Sequence, residues 1–373
     1  MMDLTSEQLA EAARSAAGAG SIGFRIGSSA TVSYAVDGDT VVMDGSLGGA
    51  ETVVGLDEEA WDDLTAQVRT AINLFLSKEL TFERGGFEQL MRWDPALRLL
   101  HAGIPIYDPT RADLHGRDPH AVMTLADSDE DLAAQLDTMG YLHLRGVFTA
   151  EEMAAANAEV DRLADEAAPG DDRSWWAIGD DGREVLCRLI YATLRSQPLA
   201  AVEQDARVSR LGRLLDPTAW LASDRMEGSP VLLKVPGNTK GLSNIPWHQD
   251  CGMGGHAIIC PSVTIGIQLT GSSAATGNLQ VIPGSHGQTL YYGWDREPGD
   301  VPVVDIDTEP GDVTVHVQDV MHASPRPTGH GGRRTFYVTF YPPTLRDQVG
   351  PGEAFNDLVR NRTAEVDRLR GRD

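Results

Sequence analysis

The second half of the chain is a succession of short, β-branched segments, and this pattern restricts the fold more than any other feature of the sequence. From Val231 onward it contains VLLKV, SVTIGIQLTG, NLQVIPGS, VPVVDI, GDVTVHV and RTFYVTFY, which are separated by Gly and Pro turns. Regular short strands of this kind are typical of a barrel or a double-sheet jelly roll. We therefore expect a jelly roll with flanking helices over residues 127–373.

Length and charge restrict the class of protein. With 373 residues the chain is long for one core and predicts two domains. Its formal net charge is −24, so most of its surface would repel a phosphate backbone and we expect no nucleic-acid partner. No apolar run approaches the ~20 residues of a membrane helix. The first residues lack the basic start and apolar core of a secretion signal, and the three cysteines have no CxxC spacing, which together favour a cytoplasmic protein.

Residues 1–108 predict a small α+β domain. The segment TVSYAVDGDTVVMDGSLGG alternates apolar and polar residues around Asp-Gly turns, as antiparallel strands do. LDEEAWDDLTAQVRTAINLFLSKEL predicts one helix, and FEQLMRWDPALRLLHAG predicts another. Residues 109–126 are rich in Pro, Asp and Gly and predict a linker. Beyond it, a helix leads into a strand at Tyr141 to Leu144, and Thr149 with Glu152 forms a capping box for the next helix.

The stretch NIPWHQDCGM contains His248 and Asp250, two positions apart. A surface pair is the plain interpretation, because an isolated H-x-D arises often by chance. On an extended segment, however, the two side chains would leave the same face and offer two ligands to one metal. His322, 72 residues after Asp250, is the candidate for the third ligand. Two His and one carboxylate form the facial triad of non-haem Fe(II) oxygenases.

A 2-oxo acid on such an iron would need a cation for its distal carboxylate. Arg offers a planar, permanently charged fork for this purpose. Arg333 lies 11 residues after His322, at the start of a strand that would run beside the one bearing His322. Its neighbour Arg334 would point to the opposite face. The alternative for either residue is a solvated strand end.

Residues from about Asp127 to near Pro343 resemble the phytanoyl-CoA dioxygenase family of Fe(II)/2-oxoglutarate oxygenases. The resemblance rests on GYLHLRGVFTAEEM, WHQD, GNLQVIPGSH, EPGDVTVH and the HAS and RRTFYV segments, in that order. It implies an enzyme with Fe(II), and with 2-oxoglutarate and O2 as cosubstrates. Hydroxylation of an unactivated C–H bond is the default reaction, because related halogenases replace the carboxylate ligand that Asp250 provides here.

The same resemblance implies roles for individual residues. His248, Asp250 and His322 would bind iron, Arg333 would pair with the distal carboxylate of 2-oxoglutarate, and Ser324 would add a hydrogen bond. Lys234 and Gln268 are further cofactor candidates; the alternatives are a strand-edge lysine and one polar residue among those that line the barrel. Some family members carry an aromatic residue near Gly266, where this chain offers no side chain.

The N-terminal segment resembles the sterol-carrier-protein-2-like family, on the strand pair, GLDEEAWDDL and LTFERGGFEQLMRW. That resemblance implies an apolar tunnel for lipids. The alternative is a docking domain whose apolar residues form its own core, and through which the chain would form a homo-oligomer.

The substrate is expected to be a small, largely apolar molecule such as a secondary metabolite, since an acidic chain suits a polyanionic acyl-CoA less well. Trp175 and Trp176 lie in GDDRSWWAIGDD, a Gly- and Asp-rich stretch that is compatible with a lid loop. In such a loop the two Trp side chains would either bind an apolar substrate or only pin the loop to the core. The other candidate substrate contacts are Trp247, Met253 and Trp294. An alternative from another class is a catalytically inactive lipid or small-molecule binding protein built on the same barrel.

Overall fold

A computed structural model of the protein describes residues 4–223, 227–240, 244–253, 259, 261–290, 301–329 and 331–345. These residues form two compact units. The first contains residues 4–112 together with 249–253, 259 and 287–290 from later in the chain, and the second contains the remainder. None of the described helices is long and apolar enough to cross a membrane.

The first unit is a five-stranded sheet covered by helices. Its strands are β1 (Ile22–Ile26), β2 (Ala30–Asp37), β3 (Thr40–Asp44), β4 (Thr52–Leu56) and β5 (Leu80–Arg84). Its N-terminal helices are α1 (Ser6–Ser15), α2 (Glu58–Thr65), α3 (Ala71–Leu76) and α4 (Phe87–Ala102). The strand order is β3-β2-β1-β4-β5, with only β1 and β4 parallel. The predicted strand pair is therefore present, as a hairpin of β2 and β3.

The prediction of one long helix after Leu56 is wrong, because the chain breaks between α2 and α3. Gln67 adopts a left-handed backbone conformation with φ 61°, and Val68 is 40% exposed. Thr70 then caps α3 by accepting a hydrogen bond from the N–H of Asn73. The helical spacing of the apolar residues is real, but a second capping residue restarts the helix.

Two later segments complete the first unit. A short helix that begins at Asp250, α9 (Asp250–Met253), packs against α3. Buried Arg98 on α4 donates Nη1 hydrogen bonds to Gln249 Oε1 at 3.4 Å and Thr289 Oγ1 at 2.9 Å. Residues 105–107 also pair with Thr289 through backbone hydrogen bonds. The first unit is therefore built from segments that are far apart in the sequence. A division of the sequence into consecutive domains does not predict this.

The second unit consists of two antiparallel sheets and a layer of helices. Its helices are α5 (Asp129–Met139), α6 (Ala150–Glu166), α7 (Gln197–Glu203) and α8 (Ala206–Gly212), with short 3-10 helices at Ala192–Leu194, Ala274–Thr276 and Pro343–Leu345. Its strands are β6 (Val122–Met123), β7 (Tyr141–Leu144), β8 (Ser174–Gly179), β9 (Glu184–Leu189), β10 (Trp220–Leu221), β11 (Val231–Lys234), β12 (Asn238–Lys240), β13 (Ile245–His248), β14 (Val263–Gln268), β15 (Leu279–Val281), β16 (Val304–Ile306), β17 (Val313–Val317), β18 (His322–Ser324) and β19 (Arg333–Tyr341).

The large sheet has the order β12-β8-β9-β11-β19-β14-β17-β7-β6, with β10 paired to β19. The small sheet has the order β13-β18-β15-β16. Of the neighbouring strands, only β6 and β7 are parallel. The predicted mixed fold is confirmed, and the two sheets fit the predicted jelly roll. The capping box of Thr149 and Glu152 is also present at the start of α6.

The two faces of the large sheet differ in polarity. On one face Ile265 and Val338 join a buried cluster with Leu132 of α5, Met153 of α6 and Leu199 of α7. The apolar core of this unit therefore lies between the sheet and its helices. The other face, here called the inner face, carries polar residues that are nonetheless buried, and the most buried are Lys234, Gln268, Thr314, Arg333 and Thr335.

A buried carboxylate fixes the turn before β17. Asp312 accepts hydrogen bonds from the backbone N–H groups of Gly146 and Glu309, both at 2.9 Å. His143 Nε2 lies 3.3 Å from its Oδ2, and Arg145 Nε lies 3.1 Å away. Burial alone would raise the pKa of Asp312, but these hydrogen bonds and the Arg145 charge outweigh it and hold the pKa below its ordinary value.

We expect Asp312→Asn to destabilise the protein by about 1–3 kcal/mol at pH 7. A carboxyl whose folded pKa is lowered contributes stability above its unfolded pKa of about 3.9, and this contribution is lost as the pH falls through the folded pKa. The difference in unfolding free energy between wild type and variant, measured with urea, should therefore shrink below about pH 4. Asp172→Asn, at an exposed carboxylate beside Arg173, is the control. A difference that stays constant down to acidic pH would contradict this role.

Candidate active site

The three residues of the H-x-D…H pattern come together in the structure. His248 ends β13, His322 begins β18, and the two are directly paired across the small sheet. Their ring centroids are 4.2 Å apart. With Asp250 they form a group whose ligand atoms all lie within 4.8 Å of one another.

Backbone carbonyls orient both imidazoles. Nδ1 of His248 lies 2.8 Å from the carbonyl oxygen of Pro246, and Nδ1 of His322 lies 3.0 Å from that of Val320. A carbonyl oxygen only accepts, so Nδ1 of each ring carries a proton, which leaves Nε2 as the nitrogen that can bind a metal. Buried His316, six residues before His322, packs against the His322 ring at a centroid distance of 4.6 Å. The site thus offers two imidazole nitrogens and one carboxylate, a donor set that suits Fe(II).

The sequence-based reason for placing His248 and Asp250 on one face is wrong. Strand β13 ends at His248, and Asp250 is the first residue of α9. The alternation of side chains along a strand therefore cannot explain why these two side chains lie close together. The turn at Gln249 brings the carboxylate to the imidazoles instead, and the Gln249 side chain donates to the carbonyl of Gln288 at 3.0 Å.

Arg333 lies on the inner face, is 1% exposed and donates four hydrogen bonds. Its Nη1 donates to the carbonyl of Gly277 at 2.9 Å and to Ser324 Oγ at 3.1 Å. Its Nε donates to Thr335 Oγ1 and its Nη2 to the Tyr337 hydroxyl, both at 2.8 Å. All of these acceptors are uncharged, and over the described ranges Arg333 forms no ion pair with a carboxylate.

Lys234 and Ser324 lie beside this guanidinium. The Lys234 ammonium donates to Ser324 Oγ at 2.7 Å and to the carbonyl oxygens of Ser324 and Pro325. Lys234 is 1% exposed, so the strand-edge alternative is wrong. Its hydrogen bonds hold the segment that follows His322, and Ser324 lies two residues beyond that histidine.

Gln268 contacts the guanidinium through Thr335. The Thr335 hydroxyl accepts from Arg333 Nε and donates to Gln268 Oε1 at 3.0 Å. Gln268 Nε2 in turn donates to the carbonyl of Gly266 at 3.2 Å. Thr335 and Tyr337 were not among the residues chosen from sequence, although their positions two and four after Arg333 on a strand indicate the same face.

The space beside Gly266 is filled by Tyr337. A Cβ added to Gly266 would lie 3.1 Å from Tyr337 Cε1 and 2.7 Å from Thr314 Oγ1. The absence of a side chain at Gly266 therefore makes room for the tyrosine that accepts a hydrogen bond from Arg333. The aromatic ring beside Gly266 is therefore that of Tyr337, which belongs to the neighbouring strand β19.

The expectation that Arg333 lies on a strand next to that of His322 is wrong. Strand β19 pairs with β10, β11 and β14 in the large sheet, whereas β18 belongs to the small sheet. Arg333 reaches across to Ser324 from the facing sheet. Arg334 points to the other face, where it forms an ion pair with Asp161 of α6 at 2.7 Å.

The predicted lid loop at Trp175 and Trp176 is a strand. Both residues lie on β8, which pairs with β9. Trp175 is buried and Trp176 half-buried, with the Trp176 indole donating to Ser174 Oγ at 2.8 Å. Trp247 is buried on β13, next to His248. The side chain of Met253 and the whole of Trp294 lie outside the described residues.

A site of two imidazoles and one carboxylate, on a two-sheet fold with a buried arginine close by, defines the class of non-haem iron oxygenases. The family model described as phytanoyl-CoA dioxygenase (PhyH) matches residues 136–335, more than half of the chain. The chain belongs to this family. It is a non-haem enzyme that depends on Fe(II) and 2-oxoglutarate, and His248, Asp250 and His322 form a group that fits the iron.

Several solved structures are similar to this chain. AviO1 from Streptomyces viridochromogenes Tue57 is 22% identical over 60% of this chain and 97% of its own, with a TM-score of 0.47. The 2-oxoglutarate-dependent epimerase SnoN of nogalamycin biosynthesis is 23% identical over 57% and 83%, with a TM-score of 0.45. Iron-bound EctD from S. alaskensis is 21% identical over 67% and 86%, with a TM-score of 0.49. No curated protein sequence matches the chain significantly.

We expect Thr335→Val to weaken 2-oxoglutarate binding by roughly tenfold. The substitution preserves shape but leaves both Arg333 Nε–H and Gln268 Oε1 without their shared partner. Thr339→Val is a matched control, because Thr339 lies on the same face of β19. Calorimetric titration of the anaerobic, Fe(II)-loaded variants with 2-oxoglutarate provides the measurement. Equal affinities for the two variants would show that the hydroxyl does not orient Arg333.

Proposed function

We propose that the protein uses Fe(II), 2-oxoglutarate and O2 to oxidise a C–H bond of a small molecule, with hydroxylation as the reaction. In this proposal His248, Asp250 and His322 hold the iron, and Arg333 binds the distal carboxylate of 2-oxoglutarate. The observation that carries it is the buried Arg333 guanidinium, which contacts Ser324 just after the iron ligand His322.

A buried charge without a counter-charge is costly, even when its hydrogen bonds are satisfied. The hydroxyls and carbonyls around Arg333 orient its fork but do not neutralise it. The distal carboxylate of a dicarboxylic 2-oxo acid would supply that charge. Arg suits the task because its planar fork remains protonated at any physiological pH.

The residues around the site would act by positioning. Thr335 and Tyr337 hold two edges of the guanidinium, and Lys234 with Ser324 hold the backbone after His322. When bound, the iron and the 2-oxo acid supply the oxidising power, and the chain supplies ligands, orientation and a site shielded from water. No side-chain acid or base is required for removal of the hydrogen atom.

Asp250 favours hydroxylation over halogenation, because its carboxylate occupies the position where a halide would bind. Desaturation, ring formation and epimerisation use the same ligands and are alternative outcomes for the same site. For the N-terminal segment, the sterol-carrier-like tunnel and the homo-oligomer interface remain proposals. Location in the cytoplasm is likewise proposed, from cysteine usage.

The test is an anaerobic titration of the apo-protein with Fe(II) and then with 2-oxoglutarate, followed by visible absorption. We expect a weak new band on the second addition, which reports chelation of the 2-oxo acid. His322→Ala should abolish the band. Arg333→Ala should require roughly 10–100 times more 2-oxoglutarate, because it removes charge-assisted hydrogen bonds. Arg334→Ala is the matched control, since Arg334 faces Asp161 on the other side of the sheet.

Two results would count against the proposal. Folded, iron-loaded wild-type protein without the band would favour the inactive binding protein as the alternative. A band with the same 2-oxoglutarate requirement in Arg333→Ala and wild type would keep the iron site but remove Arg333 as the anchor.

A further inference from the structure

Two buried hydrogen-bond donors on the large sheet of the second unit are left without an acceptor. They are Trp175 Nε1 and Arg188 Nε, and neither has a hydrogen-bond partner within the part of the chain that is described. Trp175 is 6% exposed, and the Arg188 side chain is 13% exposed. A buried donor without an acceptor is destabilising, so two such donors on stacked side chains require an explanation.

Both donors belong to the face that carries the cosubstrate anchor. Trp175 pairs with Arg188, and Arg188 pairs with Leu232. Two residues further along β11, Lys234 pairs with Arg333. Because paired residues and residues two apart on a strand share a face, Trp175 and Arg188 lie on the inner face. Arg188 is two strands and Trp175 three strands from the strand of Arg333.

The two side chains form one unit with a defined charge. The Arg188 guanidinium carbon lies over the Trp175 ring, 4.9 Å from its centroid. Arg188 Nη1 is bound by both carboxylate oxygens of Glu227, at 2.7 and 2.6 Å. This ion pair neutralises the guanidinium but leaves Nε–H available, so the subsite consists of two N–H donors with no net charge.

We propose that Trp175 and Arg188 bind an uncharged oxygen acceptor of the substrate, a carbonyl or a hydroxyl oxygen. The inference rests on the proposed function, and it narrows the substrate class from a largely apolar molecule to one that carries such an oxygen. An anionic group would bind less well, because it would lie beside the Glu227 carboxylate. A subsite built from donors rejects an analogue that lacks the acceptor, because the buried N–H groups are then left unpaired.

The test uses acetamide and acetate as probes, which have the same size but differ in charge. Full-length, iron-free protein with 15N-labelled tryptophan is titrated in the presence of 2-oxoglutarate, and the indole N–H signals are followed by NMR. Trp175→Phe assigns the Trp175 signal. We expect acetamide to shift that signal saturably, with acetate binding more weakly, and the Trp176 signal to stay in place because its N–H is bonded to Ser174.

The affinity of the variants completes the test, with binding followed through the acetamide resonances. Trp175→Phe retains the aromatic ring but removes the donor, and should weaken acetamide binding roughly tenfold. Arg188→Lys retains the charge opposite Glu227 but removes Nε–H, and should weaken it to a similar extent. Trp176→Phe, the matched control, should bind as wild type does.

Three results would overturn the inference: no movement of the Trp175 signal up to the solubility limit of acetamide, tighter binding of acetate than of acetamide, or displacement of acetamide by 2-oxoglutarate alone. Neither iron nor turnover is needed. Protein that binds acetamide here but shows no iron-dependent band with 2-oxoglutarate would therefore refute the proposed function and leave the subsite in place.

Discussion

The buried guanidinium of Arg333 connects the parts of the second unit on which the site depends. It extends from β19 of the large sheet, is held along its own strand by Thr335 and Tyr337, and reaches Ser324 of the small sheet. Its bond to the carbonyl of Gly277 requires a close backbone approach. At Gly277, φ is +74°, and a Cβ there would lie 2.4 Å from the carbonyl oxygen of Pro325. Only glycine suits that position.

This geometry links the group of His248, Asp250 and His322 to the Arg333 guanidinium. His322 and Ser324 are two residues apart on β18, so the strand that presents the imidazole also presents the hydroxyl that Arg333 and Lys234 share. A shift of this strand would move both. The fold tolerates so many buried polar groups on one face because its apolar core lies on the other, between the large sheet and its helices.

Residue chemistry gave the sharpest predictions from sequence. His248, Asp250 and His322 were predicted to come together, and they do, whereas the role of Arg333 as a permanently charged fork for the cosubstrate remains a prediction. Sequence reasoning was least successful where long-range packing decides. Trp175 was assigned to a lid because Gly and Asp flank it, yet pairing with β9 makes it a strand residue.

Other differences have equally local causes. The long helix after Leu56 divides because Thr70 starts a second helix with its own cap, which an apolar period alone does not reveal. Asp250 lies on a helix, whereas strand alternation with His248 would have required an extended segment. Residues 249–253 belong to the N-terminal unit, where Gln249 contacts Arg98, 151 positions away in the chain. Contacts at such separation leave no periodic signal in the sequence.

The measurement that tests the central claim most directly compares 2-oxoglutarate with 2-oxopentanoate, a chain of the same length that lacks the distal carboxylate. Both are titrated calorimetrically into anaerobic, Fe(II)-loaded wild-type protein. If Arg333 is the buried counter-charge for that carboxylate, 2-oxoglutarate should bind roughly 10–100 times more tightly, and Arg333→Ala should abolish most of this preference. Equal affinities of the two acids for the wild-type protein would contradict the account.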